Sequence, residues 1–243
     1  MKNFYEVDKK VDYSKCDKNA RLKILSMFNS IQDNSTNFLG TFGIDNITMK
    51  NKYNSAWVIT KTLINIVNKP MWETNFTEKA QIINVSKIRF DIEFEAIDKD
   101  KNIIYKAKQQ YCPIDLTTRK IRKIETVEFP DDLEKVDSIF EKTFERGSIE
   151  FSEDDLVEKV KVKYTDIDFT KHTNNVKYVK FILDNLGSDI LDIKQISDIQ
   201  LDYLKESKEN DLIKLYRKEI NNNYYYQFKI DNDIILKAIV KTK

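Results

Sequence analysis

The sequence predicts an α+β fold in which one plan occurs twice, and three observations predict it. A long helical stripe through Leu22, Leu25, Phe28, Ile31 and Phe38 gives way to alternating strand patterns that begin at Trp57. The same order of strand, helix and strands returns after Val157, with Val176, Val179, Leu183 and Leu186 at helical spacing. A chain of 243 residues, 41% hydrophobic and 12% aromatic, can bury either one large core or two of about half that size.

Taken in order, Phe4 to Val11 reads as a first strand, followed by a turn around Ser14 to Asp17. The first helix then has Asp17 or Asn19 as its cap and Gly40 as its terminator. After a polar, Asn-rich connection, a strand runs from Trp57 to Ile66 and ends before Pro70. Further strands are expected at Ala80 to Ile88, Phe90 to Ile97 and Ile103 to Tyr111, with Asp98 to Asn102 as the hairpin turn between the last two. A basic cluster, Arg119-Lys-Ile-Arg-Lys123, follows. Pro130-Asp-Asp132 then opens an expected short helix with Leu133, Val136, Phe140 and Phe144 on one side, ending at Gly147.

The second half starts with a strand from Val157 to Tyr164. Its helix starts near Asn175 with Asn174 or Asn175 as cap, and Gly187 is its stop signal. Ile199, Leu201 and Tyr203 alternate with polar neighbours as a half-buried strand does, and strands at Leu212 to Glu219, Tyr224 to Ile230 and Ile234 to Val240 complete the set. The domains are therefore 1–129, a helical linker over 130–150, and 151–243.

Composition narrows the function. Lys and Arg total 41 against 40 Asp and Glu, a net charge of +1, so the molecule as a whole has no bias toward nucleic acid or membrane. The N-terminal residues lack a signal peptide's apolar core, and no apolar run reaches a bilayer-spanning length, which points to the cytoplasm. Cys16 and Cys112 are too few for a disulfide framework or a thiolate metal cluster.

Chemistry concentrates in Tyr164-Thr-Asp-Ile-Asp-Phe-Thr-Lys-His172-Thr-Asn-Asn-Val-Lys-Tyr178, which carries the chain's one histidine. Imidazole exchanges protons near neutral pH, and the following helix turns its free N–H groups and positive dipole end toward it, an arrangement able to hold an oxyanion. One histidine without neighbouring ligand pairs is a poor metal site. Asp166 reads as a turn carboxylate that binds nearby backbone amides.

The pattern as a whole resembles the acyl-acyl-carrier-protein thioesterases of plants and bacteria. In the first half, Trp57-Val-Ile-Thr60 is similar to that family's Trp-Val-Val-Thr strand, Lys69-Pro-Met-Trp72 to its Tyr-Pro-x-Trp turn, and Thr118-Arg-Lys-Ile121 to its closing element. In the second half the family reads Asp-x-Asn-x-His-Val-Asn-Asn-x-x-Tyr. Asp168, His172, Asn174, Asn175 and Tyr178 match it, and Thr170 stands in place of the asparagine. Downstream, Leu201-Asp-Tyr-Leu-Lys-Glu206-Ser207 resembles the family's Leu-Glu-Tyr-x-x-Glu-Cys. Glu206 matches the catalytic glutamate. Ser207 replaces a cysteine, which argues against thiolate catalysis and leaves two alternatives, Ser207 as a bystander, which is preferred, or a reduced activity.

The resemblance implies two tandem hotdog units, each an antiparallel sheet wrapped around a long helix, with the acyl chain in the first and the reaction in the second. It implies hydrolysis of fatty acyl-acyl-carrier-protein (acyl-ACP) by activated water, without metal or cofactor. Glu206 or Asp168 would take the water's proton. Thr170 would hold Asp168 or water, His172 would polarise the carbonyl or shuttle the proton, and N–H groups of Asn174, Asn175 and Val176 would receive the oxyanion. Acyl-ACP, with its phosphopantetheine-linked acyl chain, is the implied partner. Arg119, Lys120, Arg122 and Lys123 offer a patch complementary to its acidic surface, and a homodimer stays open. Two other readings compete: a hotdog acyl-CoA thioesterase and a non-catalytic acyl-binding protein.

Overall fold

The computed structural model describes residues 1–147 and 149–243, and of Asp189 the backbone alone. The described residues form a mixed α/β protein of three α-helices and ten antiparallel strands that divides into two compact units, Met1–Thr143 and Phe144–Lys243. No helix among the described residues is long and apolar enough to cross a membrane.

The first unit contains β1 (Tyr5–Lys10), α1 (Ile24–Thr41), α2 (Asn46–Tyr53), β2 (Ser55–Ile66), β3 (Asn75–Ile83), β4 (Phe90–Asp98) and β5 (Ile103–Asp115), and its strands lie in the order β1-β3-β4-β5-β2. Met27, Phe28, Ile31, Phe38 and Leu39 recur at helical spacing and are the buried face of α1. Each such side chain contributes about 1.5–3 kcal/mol when fully buried. Tyr5 of β1 stacks on Phe38 at 6.2 Å between ring centres, which seats the helix on the sheet.

The second unit contains β6 (Leu156–Lys161), α3 (Asn175–Leu191), β7 (Ile196–Tyr203), β8 (Leu212–Ile220), β9 (Asn223–Ile230) and β10 (Asp233–Thr242), ordered β7-β10-β9-β8-β6. Val179, Ile182 and Leu186 of α3 are buried, Tyr178 packs edge-on to Phe228 of β9, and Arg217 of β8 donates to the Asn185 carbonyl at 3.2 Å. The strand before the long helix and the strand after it lie at opposite edges of each unit's sheet.

Several expectations change. Residues 130–147 form no helix. Only Phe140 of the four apolar residues is buried, and strand side chains claim the backbone polar groups that a helix would need: Lys106 donates to Ile139 O, Lys108 to Phe140 O, Gln81 to Asp137 O, and the Ile139 N–H donates to Glu93. Asp17 does not cap α1. It binds Lys69 and the N–H groups of Asn19 and Arg21, and Lys23 occupies the cap position. Gly40 lies inside α1, while Gly43, at φ 67°, takes the left-handed conformation beyond the helix end. The Asn-rich connection holds α2, capped by Asp45 through Ile47 and Thr48 N–H. The strand expected at Ala80 to Ile88 begins earlier, where Asn75 and Phe76 pair with Lys10 and Lys9, and stops before Asn84, at φ 53°.

Candidate active site

Residues 167–173 form a miniature hairpin that presents the histidine. Ile167 and Thr173 pair across it, the Asp168 N–H donates to His172 O at 2.9 Å, and the Lys171 N–H donates back to Asp168 O at 3.0 Å. Such a tight reversal needs a left-handed residue, and Lys171 supplies it at φ 67°. Asp168 Oδ1 accepts from the Thr170 N–H at 2.8 Å, an Asx turn that stiffens the tip. Asp166 anchors the base: it is buried, accepts from the Lys163 N–H at 2.9 Å, and lies 3.6 Å from Lys177 Nζ.

Three polar side chains meet on this loop and a fourth arrives from the turn after β7. Thr170 Oγ1 lies 2.6 Å from Asp168 Oδ1 and 3.3 Å from His172 Nδ1, and His172 Nε2 lies 3.2 Å from Glu206 Oε2. His172 is 20% exposed and Glu206 41%, so the pair is reachable from outside. Proton counting assigns the ring. Thr170 has one hydroxyl proton, and the short contact commits it to the carboxylate, so Nδ1–H must donate to Thr170 Oγ1. On the other side of the ring Nε2 faces Glu206 Oε2, which accepts from the ring when Nε2 carries a proton. Asp168, Thr170, His172 and Glu206 thus form one continuous chain of polar contacts.

The helix end contributes less than its sequence suggests. The Asn174 N–H donates to Asp166 O at 2.9 Å, and the Val176 N–H is consumed by the Asn174 side chain at 2.9 Å, the N-cap bond of α3. Of the three expected oxyanion donors, only the Asn175 N–H has no hydrogen-bond partner among the described residues. A cleft of about 340 Å³ beside this helix is lined by lysines including Lys161 and Lys163 and by acids including Asp166 and Asp184. Lys177–Asp166 and Lys180–Asp184 contacts at 3.6 and 2.5 Å pair part of that charge internally.

The basic cluster sits in the first unit with Arg119, Lys120 and Lys123 exposed. Arg122 is not available to a partner in the way expected. Its guanidinium donates to Tyr53 O at 2.7 Å and Ser55 Oγ at 2.8 Å, because it ties the segment after β5 to the start of β2. Ser207, expected as a bystander, is fully buried against Thr173 and Tyr178, a contact that nothing in its sequence position announced.

Family models for the acyl-ACP thioesterase N-terminal domain and C-terminal domain match residues 2–130 and 149–241. The chain belongs to the acyl-ACP thioesterase family. Among curated family members, it is 21% identical over 205 residues to an acyl-[acyl-carrier-protein] hydrolase of Cuphea viscosissima, covering 78% of this chain and 48% of that one. It is likewise 21% identical over 199 residues to a palmitoyl-acyl carrier protein thioesterase of Cuphea hookeriana, covering 75% and 47%. The chain spans about half the length of the curated relatives it matches. The fold is similar to the crystal structure of an acyl-ACP thioesterase from Bacteroides thetaiotaomicron, with TM-score 0.83 and 22% identity over 99% of this chain and 98% of that one. It is also similar to a 12:0-ACP thioesterase from Umbellularia californica, with TM-score 0.86 and 15% identity over 99% and 97%.

Proposed function

We propose that this chain hydrolyses fatty acyl-ACP to free fatty acid and carrier protein, with His172 and Glu206 as the reacting pair. The contact that carries the reading is His172 Nε2 to Glu206 Oε2 at 3.2 Å, backed through Thr170 by Asp168 and open to substrate. Glu206 is the base of choice over Asp168, whose Oδ1 already accepts both the N–H and the hydroxyl of Thr170. The Glu206 carboxylate takes a proton from water as the water oxygen bonds to the thioester carbon. The Asn175 N–H, at the positive end of α3, stabilises the oxyanion. As the C–S bond breaks, the imidazolium of His172 protonates the departing thiolate, and the Glu206 proton restores the ring. The step needs neither metal nor cofactor.

Tandem hotdog units fit this scheme, since each unit joins five antiparallel strands to one long helix. The acyl chain then belongs to the unit of residues 1–129 and the chemistry to residues 151–243, with 130–150 joining them. Arg119, Lys120 and Lys123 meet the acidic carrier. The test is release of fatty acid from acyl-ACP of graded chain length, beside the same acyl groups on coenzyme A. Faster turnover on the carrier supports the reading, faster turnover on coenzyme A replaces the substrate class, and binding without release at any length removes the activity.

A further inference from the structure

Each member of the reacting pair is followed in sequence by a hydroxyl residue, and the two hydroxyls meet. Thr173 follows His172 and Ser207 follows Glu206, and both are buried. The Thr173 N–H donates to Ser207 O at 2.8 Å, and Thr173 Oγ1 lies 3.2 Å from the same carbonyl and 2.6 Å from Ser207 Oγ. Tyr178 OH of α3 lies 2.8 Å from Ser207 Oγ. Protons can be assigned so that each hydroxyl donates once: Tyr178 to Ser207 Oγ, Ser207 to Thr173 Oγ1, and Thr173 to Ser207 O. The Tyr178 ring is held edge-on by Phe181, Tyr203 and Phe228 at 6.3, 6.2 and 5.8 Å, so its hydroxyl is a fixed point. Burial raises the Tyr178 phenol above its usual value of 10, so it stays a donor throughout the range in which histidine titrates.

We propose that Ser207 is a positioning residue which, with Thr173 and Tyr178, latches the Glu206 turn to the His172 loop and fixes the distance between carboxylate and imidazole. The latch rests on the reading of His172 and Glu206 as the reacting pair, and it joins loop, helix and turn at the residues next to that pair. Thr173 and Ser207 are also the positions where the motif quoted above has valine and cysteine. Two apolar or weakly polar groups are thus replaced together by a matched hydroxyl pair. A 2.6 Å contact suits two oxygens and is too short for a sulfur, so serine here is a component of the latch and not a disabled nucleophile.

The chain's one histidine makes the latch directly observable, because the imidazole proton signals in NMR need no assignment among several. Glu206 lies at Nε2 of that ring and Thr170, backed by Asp168, at Nδ1. The nuclear Overhauser effect between the imidazole protons and the Glu206 side-chain protons reports the distance within the pair. Ser207→Ala is expected to weaken it strongly. It should also lower kcat on acyl-ACP by about tenfold to a hundredfold, the cost of a displacement on the order of 1 Å, with KM nearly unchanged. Thr173→Ser keeps the hydroxyl and should retain the parental Overhauser effect and rate, whereas Ser207→Cys should lie between parent and alanine. A folded Ser207→Ala protein with the parental Overhauser effect overturns the latch, whatever its rate. If Ser207→Ala fails to fold, Tyr178→Phe, which keeps the ring and deletes one donor, decides by the same loss. The NMR readout uses no substrate. A parent that hydrolyses no thioester therefore removes the proposed reaction and leaves the latch standing or falling on the measured distance alone.

Discussion

Glu78 within β3 and Glu206 after β7 are glutamates, one in each unit, whose surroundings suit different tasks. Glu78 is fully buried and receives four donors: Asn34 Nδ2 at 2.7 Å, Ser30 Oγ at 2.8 Å, Lys9 Nζ at 3.2 Å, and the hydroxyl of Tyr105. Burial pushes its carboxyl up, while Lys9, Asn34 and Ser30 pull the other way. Glu206 is 41% exposed and faces an imidazole. A carboxylate sealed among donors ties β1, α1, β3 and β5 together but has no room for a substrate. A carboxylate at an open edge, within 3.2 Å of an imidazole nitrogen, has both reach and a partner that can change charge.

Substitutions can break this contrast, and the largest effect is expected at the open end. His172→Ala should lower kcat on acyl-ACP about a thousandfold, since proton-transfer groups contribute roughly 10²–10⁴, while thermal unfolding stays close to the parent. Equal rates would remove His172 from the reaction.

At the sealed end the effect is on stability. Glu78→Ala strands four donors, of which Asn34 and Tyr105 are buried, and should cost about 3 kcal/mol in urea unfolding, with the folded fraction keeping its kcat. A tenfold loss of rate in folded protein would show that Glu78 serves the reaction. Its pH dependence has a definite sign. The folded carboxyl holds its proton more tightly than the unfolded one, so this contribution to stability is complete below the usual 4.5 and is lost as pH rises through the raised folded value. Glu78→Gln, which is always neutral, should therefore gain stability relative to the parent as pH rises. The opposite trend would mean that the Lys9 pair outweighs desolvation.

Thr170 tests the relay behind the histidine. Thr170→Ala should lower kcat about tenfold, a loss near 1.4 kcal/mol, and Thr170→Ser should restore it. The smallest effect belongs to the basic cluster. Changing Arg119, Lys120 and Lys123 to Gln should raise KM for acyl-ACP about threefold at low salt and leave it unchanged at high salt, as expected for screened surface charges. An unchanged KM at low salt would remove this docking surface.

Local signals in the sequence were reliable where one short-range bond decides the structure. Asn174 caps α3 and Asp98 closes its hairpin through the Asp100 and Asn102 N–H groups, both within four residues. They failed where distant side chains intervene. The apolar spacing of 133–144 is helical, yet Lys106, Lys108, Gln81 and Glu93 take its backbone polar groups from strands more than 30 residues away. The weak apolar stripe of α2 hid that helix among polar residues. At the site, His172 stood out by scarcity, whereas Glu206, 34 residues later, was marked only by resemblance, because spacing cannot reveal that a turn after β7 returns to this loop. The same limit hid the Thr173–Ser207 contact and the internal use of Arg122.

The most direct test of the reacting pair is single-turnover hydrolysis of acyl-ACP by the parent and by Glu206→Gln, which keeps the side chain's size and hydrogen-bonding reach but cannot accept the water's proton. The expected result is substrate binding at parental affinity with the hydrolysis step slowed about a hundredfold or more. Hydrolysis at the parental rate would contradict the assignment of Glu206 as base and, with it, the role given to its contact with His172.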